Sequence, residues 1–280
     1  MKTVVSGVSK EVWINGDGPT VLIGERINPS GRRTLAEALR NRDFDAVLKE
    51  AVAQVEAGAD ILDVNVACPG VDEIAVLPHV LEKVATSVDV PLCIDFNHPD
   101  ALKAALKVYK GKPLVNSVTG EESSLNEILP LVKEHKAAVI GLTMNESGIP
   151  KDPGQRLAVA RTILERAHSF GIPPEDVIID CLALTVGADS QACLTTLEAV
   201  RQVKKELGVN QTLGASNISF GLPERNLINH SFLTLAISSG VTCPTVDVAR
   251  VRPAVLSIDL LLGRDRFAQR YLRSFRRETP

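Results

Sequence analysis

Carboxylates and side-chain amides recur at one kind of position in this chain. Each stands at or just past the end of a short apolar run. Glu25, Arg26 and Asn28 close the first run, and Asp63 and Asn65 lie in the second. Asp95 and Asn97 end the third, and Asn116 and Ser117 lie in the fourth. Thr143 and Asn145 end the fifth, and Asp180 falls in the sixth. Gly214, Ser216 and Asn217 end the seventh, and Asp247 the eighth. Asp and Glu accept hydrogen bonds, and Asn both donates and accepts. Lysine is absent from these ends, which disfavours Schiff-base chemistry. Each such Asp or Asn has a bland explanation as a helix cap or Asx turn. Their repetition at run after run points instead to one polar pocket. A pocket with this donor and acceptor set suits a flat, neutral heterocycle with several N–H donors, such as a pterin.

The elements that must carry these residues are readable. The apolar runs occupy residues 21–25, 61–66, 91–96, 113–118, 137–144, 176–182, 211–217 and 241–248. Their near-continuous apolar character suits strands buried on both faces. Between them lie segments of helical period, such as 34–57, 153–170 and 190–206. Gly58, Gly171, Gly208 and Gly240 stand where helices of this kind end in a left-handed residue. The repeat from run to run is about 31 residues, the unit length of a (β/α)8 barrel of ~250 residues. An open doubly wound sheet carries a Gly-rich turn after its first strand, and Gly24-Glu25-Arg26-Ile27-Asn28 is not one. The expected fold is therefore α/β, a single TIM barrel over residues 1–280. In such barrels the active site lies at the C-terminal ends of the strands, where the polar residues above fall. Residues 1–20 precede the barrel, and Asn15-Gly16-Asp17-Gly18 reads as the turn of a hairpin that caps its bottom.

Composition narrows the function classes. The 280 residues bury a large core without disulfide or metal staples. Net charge is −3 and aromatics make up 4%, so neither backbone electrostatics nor base stacking favours nucleic acid. No apolar run approaches the ~20 residues of a membrane span. The N-terminus lacks the apolar segment of a signal peptide, which leaves the cytoplasm as the expected location. Five cysteines show no Cys-x-x-Cys pair, and Cys93 and Cys181 read as small buried apolar residues. The five histidines show no metal-ligand spacing, so no metal site is expected. A carboxylate-bound Mg²⁺ is a weaker alternative to the heterocycle. Residues 264–280 form a basic C-terminal helix or tail. Phe267, Tyr271 and Phe275 are spaced as one helical stripe there, among six arginines. That stripe reads first as a packing helix and second as a docking face for an acidic partner protein.

The residues at the run ends carry a resemblance. Gly24-Glu25-Arg26-Ile27-Asn28, Asp63-Val64-Asn65, Ile94-Asp95, Val115-Asn116-Ser117, Gly141-Leu142-Thr143-Met144-Asn145, Ile179-Asp180 and Gly214-Ala215-Ser216-Asn217-Ile218-Ser219 occur in this order. They resemble the pterin-binding methyltransferases that exchange a methyl group between tetrahydrofolate and a corrinoid protein. The folate domain of cobalamin-dependent methionine synthase is a relative of that group. The resemblance implies a Co-methyltransferase with tetrahydrofolate or 5-methyltetrahydrofolate as substrate and a corrinoid, cobalamin-like, carried by a separate protein. It implies that Asp95, Asn116 and Asp180 grip the pterin, with Gly214 and Ser216 lining the same wall. Asn217 would be the catalytic residue beside N5. Glu25, Asn28, Asp63, Asn65, Phe220 and Asp247 would form the pocket rim or face the corrinoid. Some relatives carry glutamine where this chain has Phe220. A homodimer is implied as well. The alternatives are a dihydropteroate synthase-like enzyme, whose Asn-Val-Thr-Pro segment is absent here, and a non-catalytic folate-binding subunit of a corrinoid complex. A sugar-phosphate barrel enzyme is more remote.

Overall fold

The computed structural model describes residues 1–276. Strands β1 (Lys2–Ser6) and β2 (Glu11–Asn15) form an antiparallel hairpin. Eight further strands follow: β3 (Ile23–Ile27), β4 (Ile61–Val64), β5 (Leu92–Asp95), β6 (Leu114–Thr119), β7 (Ala138–Leu142), β8 (Val177–Asp180), β9 (Gln211–Thr212) and β10 (Thr245–Val246). All are parallel, in the order β10-β3-β4-β5-β6-β7-β8-β9. The two end strands close on each other. Gly214 bridges Thr245, and the Thr245 N–H donates to the Leu213 carbonyl at 2.9 Å. The sheet is thus the expected eight-stranded barrel. Helices α1 (Arg33–Arg40) and α2 (Asp45–Glu56) follow β3. Then α3 (Glu73–Ser87), α4 (Pro99–Val108), α5 (Glu122–Glu134), α6 (Pro153–Ser169), α7 (Ala192–Glu206), α8 (Arg225–Ser239) and α9 (Val248–Leu261) each follow one strand. The short α10 (Gln269–Arg276) comes last.

The two-residue period of the strands separates two cores. Leu62, Val64, Ile94, Val115, Val139 and Ile179 point outward and pack beneath the helices. Ile23, Ile61, Cys93, Leu114, Ala138, Ile140, Ile178 and Cys243 point inward and fill the barrel. Val5, Val12 and Ile14 of the hairpin belong to that inner cluster. They cover the N-terminal end of the barrel, as expected of a cap. The hairpin is also tied by hydrogen bonds. The Asn210 Nδ2 donates to Thr3 Oγ1 and to the Ile14 carbonyl, both at 2.9 Å.

Three local expectations change. The hairpin turns at residues 7–10, where the Gly7 N–H donates to the Lys10 carbonyl. Asn15-Gly16-Asp17-Gly18 lies after the second strand instead. There Asn15 Oδ1 accepts the N–H groups of Asp17 and Gly18 and turns the chain toward β3. The helical stretch 34–57 is two helices. Arg42 adopts a positive φ of 54° between them, and Asp43 Oδ1 accepts the Asp45 N–H. Periodicity spans that break because Leu39 and Phe44 both turn inward to the same core.

The C-terminal stripe is broken in the same way. Phe267 has φ 55° and ψ 28° and stands in a 3-10 turn before α10, away from the Tyr271–Phe275 pair. Arg264 and Arg270 are spent on Asp259, which is fully buried and accepts from the N–H and Oγ1 of Thr20. Thr20 leads into the N-terminal end of β3. The basic helix therefore starts at the end of the barrel opposite the polar strand ends, which removes it as a face for presenting cobalt to them. The rest of the tail, 277–280, lies outside the described residues.

Replacing Ile14 by Ala should open a cavity under the barrel. The expected cost is about 2–4 kcal/mol, read as a lower chemical-denaturation midpoint with an unchanged slope. An unchanged midpoint would mean the hairpin does not seal the core.

Candidate active site

The polar residues form the next layer of the inward-facing positions. Two residues beyond Ile23, Ile61, Cys93, Leu114 and Ile178 stand Glu25, Asp63, Asp95, Asn116 and Asp180. Strand register places them side by side. Asp63 pairs with Cys93, Asp95 with Asn116, and Asp180 with Thr212. Thr212 and Thr245 complete the ring, with hydroxyls 3.3 Å apart. One turn of polar side chains thus rests on an apolar plug at the C-terminal mouth.

Contacts within this layer are specific. Asn116 Nδ2 donates to Asp63 Oδ1 at 3.1 Å, across the strand between them. The Asn65 amide reaches Asp95, while its own Oδ1 accepts the Ala67 N–H at 2.8 Å. Asp180 accepts the Leu182 N–H at 2.6 Å and a backbone hydrogen bond from Gly214. Ser216 Oγ donates to Glu25 Oε1 at 2.8 Å. Several of these side chains therefore also make the local turn that the bland explanation allows. A carboxylate has two oxygens and four lone-pair directions, so the turn leaves acceptor capacity facing the bowl.

The electrostatics are unusual for carboxylates. Burial pushes Asp63 and Asp180 up to about 6, against an ordinary 3.8, with hydrogen bonds offsetting part of the shift. Burial also raises Glu25 to about 6, opposed by the Ser216 hydrogen bond. Burial and the neighbouring Asp63 charge push Asp95 well above its usual range. Beneath them the Cys93 thiol is buried and pushed up further, so it is inert as a nucleophile. Cys181 is buried too. Among the described residues no cluster of His, Cys, Asp or Glu is arranged to hold a metal ion.

The remaining candidates lie on the rim. Asn217 sits on a 3-10 turn, Ala215–Ser219, with an exposed side chain. Its amide nitrogen would stand 3.0 Å from a Cβ at residue 214, so Gly214 leaves room for it. Arg225 holds that turn, donating to the Ser216 carbonyl at 2.7 Å and to Ser219 Oγ at 3.0 Å. Phe220 is 68% exposed, with its ring 5.9 Å from the Arg225 guanidinium. Asp247 pairs with Arg250 at 3.1 Å and with Arg26 at 3.7 Å. Asn28 Oδ1 accepts the Ser30 N–H at 2.9 Å and is committed to its own loop. The structure thus brings Asp63, Asn65, Asp95, Asn116, Asp180, Glu25 and Ser216 together. It leaves Asn217, Phe220, Asp247 and Asn28 around the opening.

Three supporting residues gave no sequence signal. Gln54 Oε1 accepts the Arg26 N–H at 2.9 Å where β3 loses its regular register, and a Cβ on Gly24 would strike that amide at 2.5 Å. Arg225 and the buried Arg156 are the others. Each reads as an ordinary helix residue until burial and partners are known.

A profile of the family described as pterin binding enzyme matches residues 24–247. The chain belongs to the pterin-binding enzymes. Membership fits the position of the acceptor layer, since every residue of that layer falls inside the matched span. The chain is 30% identical over 263 residues to a methylcorrinoid:tetrahydrofolate methyltransferase of Eubacterium limosum, covering 91% of this chain and 96% of that one. It is 32% identical over 262 residues to methionine synthase of Mycobacterium tuberculosis, covering 89% of this chain but 22% of the synthase. Among solved structures, dihydropteroate synthase of Yersinia pestis with a pterine–sulfa conjugate superposes with a TM-score of 0.72. The identity is 16%, with 94% of this chain and 100% of that one covered. The Clostridium difficile dihydropteroate synthase with pteroic acid gives 0.71 at 23% identity, covering 87% and 97%. At these identities the structural likeness is one of fold.

The raised carboxylates make a signed prediction. Between 3.8 and about 6 the folded chain keeps a proton on Asp180 that the unfolded chain has lost. Stability without ligand therefore falls as pH rises through that window. Asp180→Asn removes the effect and should melt higher than wild type at pH 7.5, by on the order of 2 kcal/mol. The gap should close by pH 4. Parallel melting curves across that range would refute the assignment.

Proposed function

We propose that this protein transfers a methyl group between N5 of tetrahydrofolate and the cobalt of a corrinoid held by a separate protein. The observation that carries this reading is the layer of desolvated acceptors, none of which makes a salt bridge among the described residues. Such a layer is costly until donors arrive. A pterin brings them, because its amino-pyrimidinone edge is lined with N–H groups, and its ring nitrogens accept from amides. The residues present therefore fit the substrate. The relative from Eubacterium limosum names both partners of the transfer, and this chain spans nearly all of it.

In this reading Asp180 and Asn116 hold the pyrimidine edge, and Asp95 holds the ring from the neighbouring strand. The ring rests on the inner apolar layer, which excludes water from below. Asn217 stands over N5. Its amide does not titrate near neutral pH, but its carbonyl oxygen can accept from N5 as positive character develops there. That contact strengthens in the transition state, which is what accelerates a reaction. Burial and their mutual repulsion make Asp63 and Asp95 hold a proton more tightly than ordinary carboxylates, close to the ring. The corrinoid supplies the metal that accepts or donates the methyl group. Everything else is positioning by this chain. The transfer is reversible, and the same residues serve either direction. A homodimer working in the cytoplasm belongs to this reading on grounds of family alone.

The test follows the cobalt absorption spectrum of candidate corrinoid proteins, with methyltetrahydrofolate and, for the reverse, with tetrahydrofolate on the methylated form. Methyl exchange is expected with wild type. Asn217→Ala should lower kcat/KM by ~10²-fold, the size of one lost transition-state hydrogen bond. A wild-type rate would remove Asn217 from the mechanism. Folate binding with no exchange on any corrinoid protein would make the chain a binding subunit instead.

A further inference from the structure

Arg156 is 1% exposed, the largest of the fully buried side chains. It projects from the first turn of α6. Its Nε donates to the Pro150 carbonyl at 2.8 Å. Its Nη1 donates to the carbonyls of Cys181 at 2.7 Å and Leu182 at 2.9 Å, and to Thr196 Oγ1 at 3.2 Å. Thr196, from α7, itself donates to the Leu182 carbonyl at 3.0 Å. One guanidinium therefore ties the loop before α6 to the chain leaving β8 and to α7. Among the described residues no carboxylate lies within 4 Å of it.

A buried cation without a contacting anion is expensive. Packing alone would be served as well by Met or Leu. Two facts show what the charge and the fork do here. Leu182 has φ 60°, a left-handed conformation that is strained for a residue with a side chain. The N–H of the same residue donates to Asp180 Oδ1 at 2.6 Å, so the turn begins on that carboxylate. The residue so strained is the one whose carbonyl Arg156 and Thr196 both hold. The second fact is electrostatic. Arg156 opposes the upward push of burial on Asp180, and Asp180 in turn favours the charged form of Arg156. The other titratable groups facing Asp180 are the thiols of Cys181 and Cys243, both buried and neutral. Its remaining neighbours are the Leu182 and Gly214 N–H groups.

We infer that Arg156 is a positioning residue for pterin recognition. It fixes the left-handed turn that aims Asp180, and it stands behind that carboxylate as its counter-charge without touching the substrate. The inference rests on the reading of Asp180 as a grip on the pyrimidine edge.

The test uses the full chain with Arg156→Lys, Arg156→Met and Asp180→Asn. Tetrahydrofolate affinity is measured anaerobically from pH 5 to 8.5, with melting curves to confirm folding. Wild-type affinity should weaken as pH falls and Asp180 takes up its proton. Arg156→Met should lose roughly ten-fold in affinity at pH 7 and move that acid limb up by about one unit. Arg156→Lys keeps the cation, so its limb should stay in place. Its affinity should drop several-fold at every pH, with KM raised and kcat at saturation unchanged. A folded methionine variant with an unmoved limb would overturn the inference. Where that variant does not fold, a lysine variant binding like wild type would overturn it. Wild-type affinity in Asp180→Asn would instead remove the underlying reading of Asp180, and the inference would fall with it.

Discussion

The bowl is governed by desolvation. Glu25, Asp63, Asp95 and Asp180 are held at the barrel mouth, buried or half-buried, where water solvates their charge poorly, and all four hold their protons to higher pH than usual. A lysine or a metal ion would relieve that cost and fill the space. The chain instead offers fixed partial relief through Asn116, Ser216 and the backbone N–H groups of Leu182 and Gly214. On the proposed reading the unmet part is supplied by a neutral donor-rich ring. Specificity follows, because a ligand lacking those donors would leave buried acceptors unpaired.

The scaffold is arranged around keeping that layer rigid. Inward residues alternate along each strand, so an apolar layer lies directly below the polar one, and the hairpin residues Val5, Val12 and Ile14 close the stack. Irregularity is confined to places where a side chain must be re-aimed. At β3 the register slips between Gly24 and Ile27, and Gln54 catches the freed Arg26 N–H. At the end of β8 the strain of Leu182 is held by Arg156 and Thr196. Arg225 performs the same service for the turn that bears Asn217.

The eight strands were legible because each is an apolar run of the right length, and period two alone predicted which residues would share the interior. Their position at the strand ends marked Asp95, Asn116 and Asp180 as candidates, and only the family resemblance gave them the proposed role of gripping the pterin. Where local chemistry admitted two outcomes the sequence was silent. Asn15-Gly16-Asp17-Gly18 has turn chemistry, but the hairpin turns at the preceding Gly7–Lys10 because strand pairing, not turn propensity, sets the register. Phe267 keeps helical spacing yet falls in a left-handed turn, between two arginines that pair with Asp259. Asn28 makes the same local turn as Asn65 and Asp180, its Oδ1 accepting the Ser30 N–H, but it stands on the rim and not in the polar layer. No pattern of residue types reveals that Arg156 is buried, because a helix starting at Pro153 exposes or hides that position according to its neighbours.

The hairpin beneath the barrel has a further consequence for access. With the lower end stoppered by β1 and β2, the vessel has a single door. On the proposed reading ring and cobalt both approach through it. A corrinoid protein seated on the rim that carries Asn217, Phe220 and Asp247 would crowd the path by which the small substrate enters and leaves, so the two bound molecules share one opening.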